Sequence, residues 1–169
     1  MTSAQPQSPL PRRQYLPHAV PSWVQDSAIF FITISCSTRG LNQLCREEIA
    51  AAIWESIEFR QQRGDWFVHF WLLMPDHLHA LISFPKDRVM EKVLGNWKEI
   101  TAKTCGVRWQ RDFFDHRLRS NESREEKTKY ILENPVRKGL TARADEWKFT
   151  WQPDRGGPSG PALPAPVPC

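Results

Sequence analysis

Residues 28 to 35, "AIFFITIS", are apolar and β-branched almost throughout, as a buried strand should be. In "CREEIAAAIWESIEFRQQRG" (45 to 64), Ile49, Ile53 and Ile57 recur every fourth residue, which predicts an amphipathic helix stopped by Gly64. The runs "WFVHFWLLM" and "HLHALISF" flank Pro75 and Asp76, and proline pre-sets φ for the first central turn position, so they are expected to form a hairpin. In that register Leu72 faces His79 and Met74 faces His77. A second helix is expected from an Asp87 cap through Met90, Val93, Leu94, Trp97 and Ile100 towards Gly106, weakened by Gly95. "DFFDHRLR" (112 to 119) reads as a short strand. "NESREEKTKYILEN" reads as a helix with capping-box spacing between Ser123 and Glu126, ending at Asn134 before Pro135. The order β-α-β-β-α-β plus a terminal helix predicts an α+β, ferredoxin-like antiparallel sheet with helices on one face and a further helix at the C-terminal end.

The ends change the picture little. Residues 1 to 27 hold five of the fourteen prolines and read as an N-terminal arm; its Arg12, Arg13 and Tyr15 fit a phosphate backbone or a solvated tail. Residues 152 to 169 read as a disordered tail rich in proline and glycine, which leaves 28 to 151 as the folded domain. A net charge of +4 permits a nucleic-acid partner without requiring one. Its distribution says more, since residues 86 to 143 carry fifteen Lys or Arg against nine Asp or Glu. Cys36, Cys45, Cys105 and Cys169 lie far apart and are expected as reduced thiols, which favours the cytoplasm. No segment has the length of an apolar signal core or membrane span, so no membrane partner is expected.

Two imidazoles in an apolar strand need an explanation. His77 and His79 are two apart, so on a strand they share a face at roughly 6 to 7 Å, close enough to bind one metal ion. By the same alternation His69 falls on the opposite face with Trp71 and Leu73, as a core histidine. A pair of this kind also occurs simply packed, and a closed zinc site would need two more soft ligands, which no nearby cysteine provides. Tyr130, one of two tyrosines, is flanked on its helical face by Glu126, Lys127, Glu133 and Asn134, leaving Ile131 and Leu132 for the core. A phenol, an amide oxygen suited to a hard cation and basic neighbours thus occupy one stripe.

"MPDHLHALISFP", "WQRDFFDHRLR" and above all "KYILENPVRKGL" resemble the single-tyrosine (Y1) HUH transposases of the IS200-like superfamily, most nearly the relatives associated with repetitive extragenic palindromes. The resemblance covers most of the chain. It implies that Tyr130 is the nucleophile on a C-terminal catalytic helix. It implies His77, His79 and Asn134 as ligands of a divalent metal, Mg²⁺ or Mn²⁺. The partner it implies is single-stranded DNA carrying a hairpin, with monomer and homodimer both open. The family often has asparagine before the first histidine, where this chain has Asp76, either a further carboxylate near the cation or a turn residue.

A phenol with a pKa of about 10 is a poor nucleophile at neutral pH and needs an activated electrophile. The implied reaction is Tyr130 attack on the scissile phosphate, giving a 5′-phosphotyrosine and a free 3′-hydroxyl that a second 3′-hydroxyl can reverse. Arg117, Arg119, Lys129, Arg137 and Lys138 are the expected DNA-backbone contacts. His116 fits either a DNA contact or a strand end. Of the eight tryptophans, Trp54, Trp71 and Trp97 fall in apolar runs and are expected in the core. Two rival readings remain: a catalytically silent nucleic-acid-binding module and a metal hydrolase in which the histidine pair activates water.

Overall fold

A computed structural model of the chain describes residues 28–153, so the expected arm and all but the first two residues of the expected tail, with Arg12, Arg13, Tyr15 and Cys169, lie outside the described residues. β1 (Phe30–Ser35), β2 (Phe67–Met74), β3 (His77–Ser83), β4 (Phe114–Arg117) and β5 (Thr150–Trp151) form one antiparallel sheet in the order β4-β1-β3-β2-β5. The first four follow the expected ferredoxin-like order, and β5 adds a two-residue edge that its short sequence does not announce. α1 (Glu47–Gln62) and α2 (Met90–Cys105) are the two crossover helices. Among the described residues no helix is long and apolar enough to cross a membrane.

Alternation along the central strands divides the molecule into two layers. Ile32, Ile34, Leu78, Ala80 and Ile82 point to one face, where Ile49, Ile53, Trp54 and Ile57 of α1 and Leu94 and Trp97 of α2 bury them. Trp66, Trp71 and Trp97 meet there with ring centroids 5.2 to 6.2 Å apart, so Trp54, Trp71 and Trp97 are core residues as expected. Phe70, Leu72, Met74 and Leu81 point to the other face and are closed over by Ile131 of α3 (Arg124–Leu132). Leu132 of the same helix and Trp147, which follows later in the chain, also pack against this face.

Details at the ends of elements depart from expectation. α2 starts from Val89 with no side-chain cap, so Asp87 does not cap it, while Gly106 closes it in the left-handed region at φ 67°. Ser123 accepts from the Glu126 N–H at 3.1 Å, which is half of a capping box, and its hydroxyl donates to the Glu125 carboxylate at 3.1 Å. The chain does break near Asn134. It restarts at once as α4 (Asn134–Arg137), because Pro135 sits in the first turn, where its missing N–H costs nothing.

β2 contains a feature invisible in its uniformly apolar sequence. Val68 pairs with Ile82 but Phe70 pairs with Leu81, so His69 is the extra residue of a β-bulge. The bulge shifts the alternation. His69 therefore does not join Trp71 and Leu73 but lies on the α3 face, with Nε2 2.9 Å from Ser83 Oγ and its ring beside Phe67. This corrects the expected placement of His69.

Candidate active site

Beyond the bulge the hairpin keeps its expected register, with Leu72 opposite His79 and Met74 opposite His77, and the imidazoles share the α3 face. Their ring centroids are 4.9 Å apart at 81°. Each ring is fixed through Nδ1. His77 Nδ1 meets Asp76 Oδ1 at 2.7 Å, and His79 Nδ1 meets Thr33 Oγ1 at 2.9 Å. Thr33 is the neighbour of His79 across the β1–β3 ladder, so the partner is supplied by the register itself. The Asp76 carboxylate can only accept, which selects the His77 tautomer whose Nε2 presents a lone pair; the Thr33 hydroxyl can accept from His79 Nδ1 in the same way and fixes the angle of that ring.

Burial disfavours protonation of both rings. It lowers the pKa of His77, against which Asp76 pulls upward, and it lowers that of His79 to about 3, helped by the charges of His77 and Arg137. Both are neutral at pH 7. Asp76 is not a spare carboxylate: Oδ1 holds His77, and Oδ2 accepts from the Gly40 N–H at 2.6 Å and faces Arg39 at 3.3 Å. It orients a ring and ties the β1–α1 loop to the hairpin turn, whose backbone also accepts from Cys36, Gln43 and Leu44.

The α3–α4 junction brings the remaining candidates to the same side. Tyr130 is exposed, and Arg137 stacks its guanidinium 4.5 Å from the phenol ring while donating to the Tyr130 carbonyl at 2.8 Å. Lys127 stands 5.6 Å from the Tyr130 ring and 5.4 Å from Phe31, and Phe31 stacks on His79 at 5.6 Å. The Tyr130 and His79 neighbourhoods are thereby continuous. The positive charges of Arg137 and Arg39 disfavour protonation of His79, and those of Arg39 and Lys138 disfavour protonation of His77. Asn134 caps the helix end with Nδ2, 3.1 Å from the Ile131 carbonyl, and its Oδ1 accepts from Arg137 at 3.0 Å.

The donor set suits a divalent cation. Two oriented neutral imidazoles leave Nε2 available. Among the described residues no group of three His, Cys, Asp or Glu could hold a metal ion, so a third protein ligand to such an ion would be of another type. The Asn134 carbonyl oxygen has a second lone pair beyond the one Arg137 uses. Cysteine chemistry is disfavoured, since burial pushes Cys36 and Cys45 up to about 12.

Not every expected contact reaches this face. Arg117 pairs with Phe30, a core-side residue, so the register sets it on the opposite face from the histidines. Arg119 follows β4, and its N–H is held by Glu122 at 2.8 Å. Lys129 lies across α3 from Tyr130, where with Phe67, His69, Arg124, Thr128 and Leu132 it lines a separate open cavity of about 370 Å³. His116 finishes β4 against Glu122 at 2.9 Å. Thr33 and Phe31 were not singled out from sequence, and Lys127 only as a basic neighbour of Tyr130 on its helical face. Their role depends on cross-strand register and on the angle of α3, and only the isolated hydroxyl of Thr33 in an apolar strand could have signalled it.

Two inner-strand imidazoles and a tyrosine-bearing helix thus lie on one side of a ferredoxin-like sheet, and the comparisons agree with the resemblance seen in the sequence. The chain is similar to the REP-associated tyrosine transposase of Escherichia coli (strain K12), 26% identical over 88 residues that cover 49% of this chain. The match spans 52%, about half, of that protein's length. The chain also shares the fold of a REP-associated tyrosine transposase solved bound to a REP hairpin, with a TM-score of 0.63 and 20% identity over 85% of this chain and 82% of the other. No protein-family model matches the chain.

Proposed function

We propose that this chain is a divalent-metal-dependent single-stranded DNA endonuclease and strand transferase acting near DNA hairpins. Tyr130 is its nucleophile, and His77, His79 and Asn134 are its metal ligands. The observation that carries the reading is the neutral histidine pair, each Nδ1 engaged by its own partner, beneath a helix junction that presents an exposed phenol among cations. Similarity to a transposase whose relative is solved on a REP hairpin supports hairpin DNA as the partner.

His77 and His79 would hold Mg²⁺ or Mn²⁺ through Nε2, with Asn134 Oδ1 as the third ligand once Arg137 shares or yields it. The bound ion would polarise the scissile phosphate and offset its developing charge. Tyr130 attacks phosphorus through Oη and loses its proton. The bond to the 3′ oxygen breaks, and that oxygen leaves as a protonated hydroxyl. The product is a 5′-phosphotyrosine that a second 3′-hydroxyl can resolve without ATP. Arg137, Lys138 and Lys127 supply positive charge to the non-bridging oxygens and the flanking backbone.

Incubation with end-labelled single-stranded hairpin DNA and Mn²⁺ tests this. Cleavage should disappear in Tyr130→Phe and in His77→Ala while binding persists in Tyr130→Phe. Cleavage that survives Tyr130→Phe indicates a hydrolase, and binding without cleavage under any divalent metal indicates a silent module.

A further inference from the structure

Ladder register sets Phe114 beside Thr33, Thr33 beside His79 and His79 beside Leu72, so these four residues form one row across four strands on the α3 face. Ile131 and its helix close over Leu72 at one end of the row. At the other end, on edge strand β4, Phe114 is 58% exposed. It is not needed to seal the main core, because the preceding Phe113 packs there and the alternation sends Phe114 to the opposite side. Single exposed apolar residues are ordinary. What sets this one apart is its connection to the site: its ring meets Phe31 edge-on at 6.1 Å, and Phe31 stacks on His79 at 5.6 Å. Lys127 lies over Phe31 and Tyr130 alike, with its ammonium 3.9 Å from Glu122.

We propose that Phe114, backed by Phe31, is the stacking face for one nucleobase of single-stranded DNA next to the phosphate at the histidine site, with Lys127 on the adjoining backbone. An exposed ring at the edge of a sheet, followed within two residues by polar chain and flanked by a cation that serves both the ring cluster and the tyrosine, is the combination with which proteins hold unpaired strands. Bases stack on aromatic faces while lysines track phosphates. A base can lie on the open side of Phe114 because β4 is the last strand of the sheet and more than half of the Phe114 surface is exposed. The stack would fix the direction in which the strand leaves the histidines.

This inference rests on the proposed DNA chemistry, and its test separates the two. Binding of the full chain to single-stranded hairpin oligonucleotides is measured by fluorescence anisotropy, each oligonucleotide carrying one abasic site at a successive position around the cleavage point. Covalent adduct is read on the same samples. Phe114→Ala should weaken binding about 5- to 150-fold, the weight of one base–aromatic stack, with an unchanged melting temperature. Phe114→Trp should restore binding and Phe114→Leu should not. One abasic position should weaken the unsubstituted chain and have no further effect on Phe114→Ala. Equal affinity of Phe114→Ala and the unsubstituted chain, or equal sensitivity of both to every abasic position, overturns the stacking face while adduct formation leaves the chemistry standing. Binding that depends on Phe114 without adduct in any sample overturns the chemistry and supports the stacking face.

Discussion

Thr33→Val keeps the β-branched shape that suits β1 and removes only the hydroxyl that meets His79 Nδ1 at 2.9 Å. Two costs follow. A partly buried ring nitrogen loses its partner, which costs about 1 to 3 kcal/mol of stability. The ring is also released from the angle that presents Nε2, and loss of such a supporting partner lowers metal affinity about 10- to 100-fold. His77 keeps its own partner, Asp76 at 2.7 Å, so the site should be weakened rather than abolished. Isothermal titration of the DNA-free protein with Mn²⁺ reads the affinity, and thermal unfolding without metal reads the stability. The expected result is a dissociation constant higher by one to two orders of magnitude and a melting temperature lower by a few degrees. A lower melting temperature with Mn²⁺ affinity changed less than about threefold would refute the reasoning, because Thr33 would then serve packing alone and His79 would not be a ligand.

Asp65 is buried with Arg60 at 3.5 Å and also faces Arg63 and Arg88, so Asp65→Ala strands a buried guanidinium and should cost about 3 to 5 kcal/mol in denaturant unfolding; a loss under about 1 kcal/mol would mean that Asn96, 2.6 Å from Arg60, suffices. Ile131→Ala removes the side chain that fastens α3 to Phe70, Leu72, Met74 and Leu81, with an expected loss of about 2 to 5 kcal/mol and faster hydrogen exchange in 124 to 132 than in α1. In the metal-free protein the folded-state pKa of His79, about 3, lies below the unfolded value of about 6.5, so the unfolded chain takes up the proton first. Stability is therefore complete above that unfolded value and is lost as pH falls towards 3, at up to about 1.4 kcal/mol per pH unit for this group. His79→Gln should flatten the slope, and an unaltered slope would show that His79 is not held neutral.

Much of the scaffold was legible because its elements are strongly patterned. Ile49, Ile53 and Ile57 could only make a helix with one apolar stripe, and the Pro75–Asp76 turn fixed the register that sets His77 beside Met74. The bulge at His69 was not legible, since every neighbour in "WFVHFWLLM" is apolar and a one-residue shift leaves no trace in such a run. The face that Arg117 occupies was not legible for a related reason: it depends on how β4 pairs with β1, and proximity in sequence to the tyrosine helix says nothing about that pairing. In the site, His77, His79, Tyr130 and Asn134 stood out by residue type. Thr33 did not, because its hold on a ring nitrogen is a matter of position across strands rather than of local pattern, and Asp76 stood out only as a candidate carboxylate or turn residue, not as the partner of His77.

The central claim is that Tyr130 becomes covalently joined to a DNA 5′-phosphate. Intact-mass spectrometry of the full chain after incubation with single-stranded hairpin DNA and Mn²⁺, followed by peptide mapping, reads it directly. The account predicts a denaturation-resistant species heavier by one cleaved strand, mapped to Tyr130 and missing in Tyr130→Phe. Cleaved DNA with unmodified protein, or an adduct on any other residue, would contradict it.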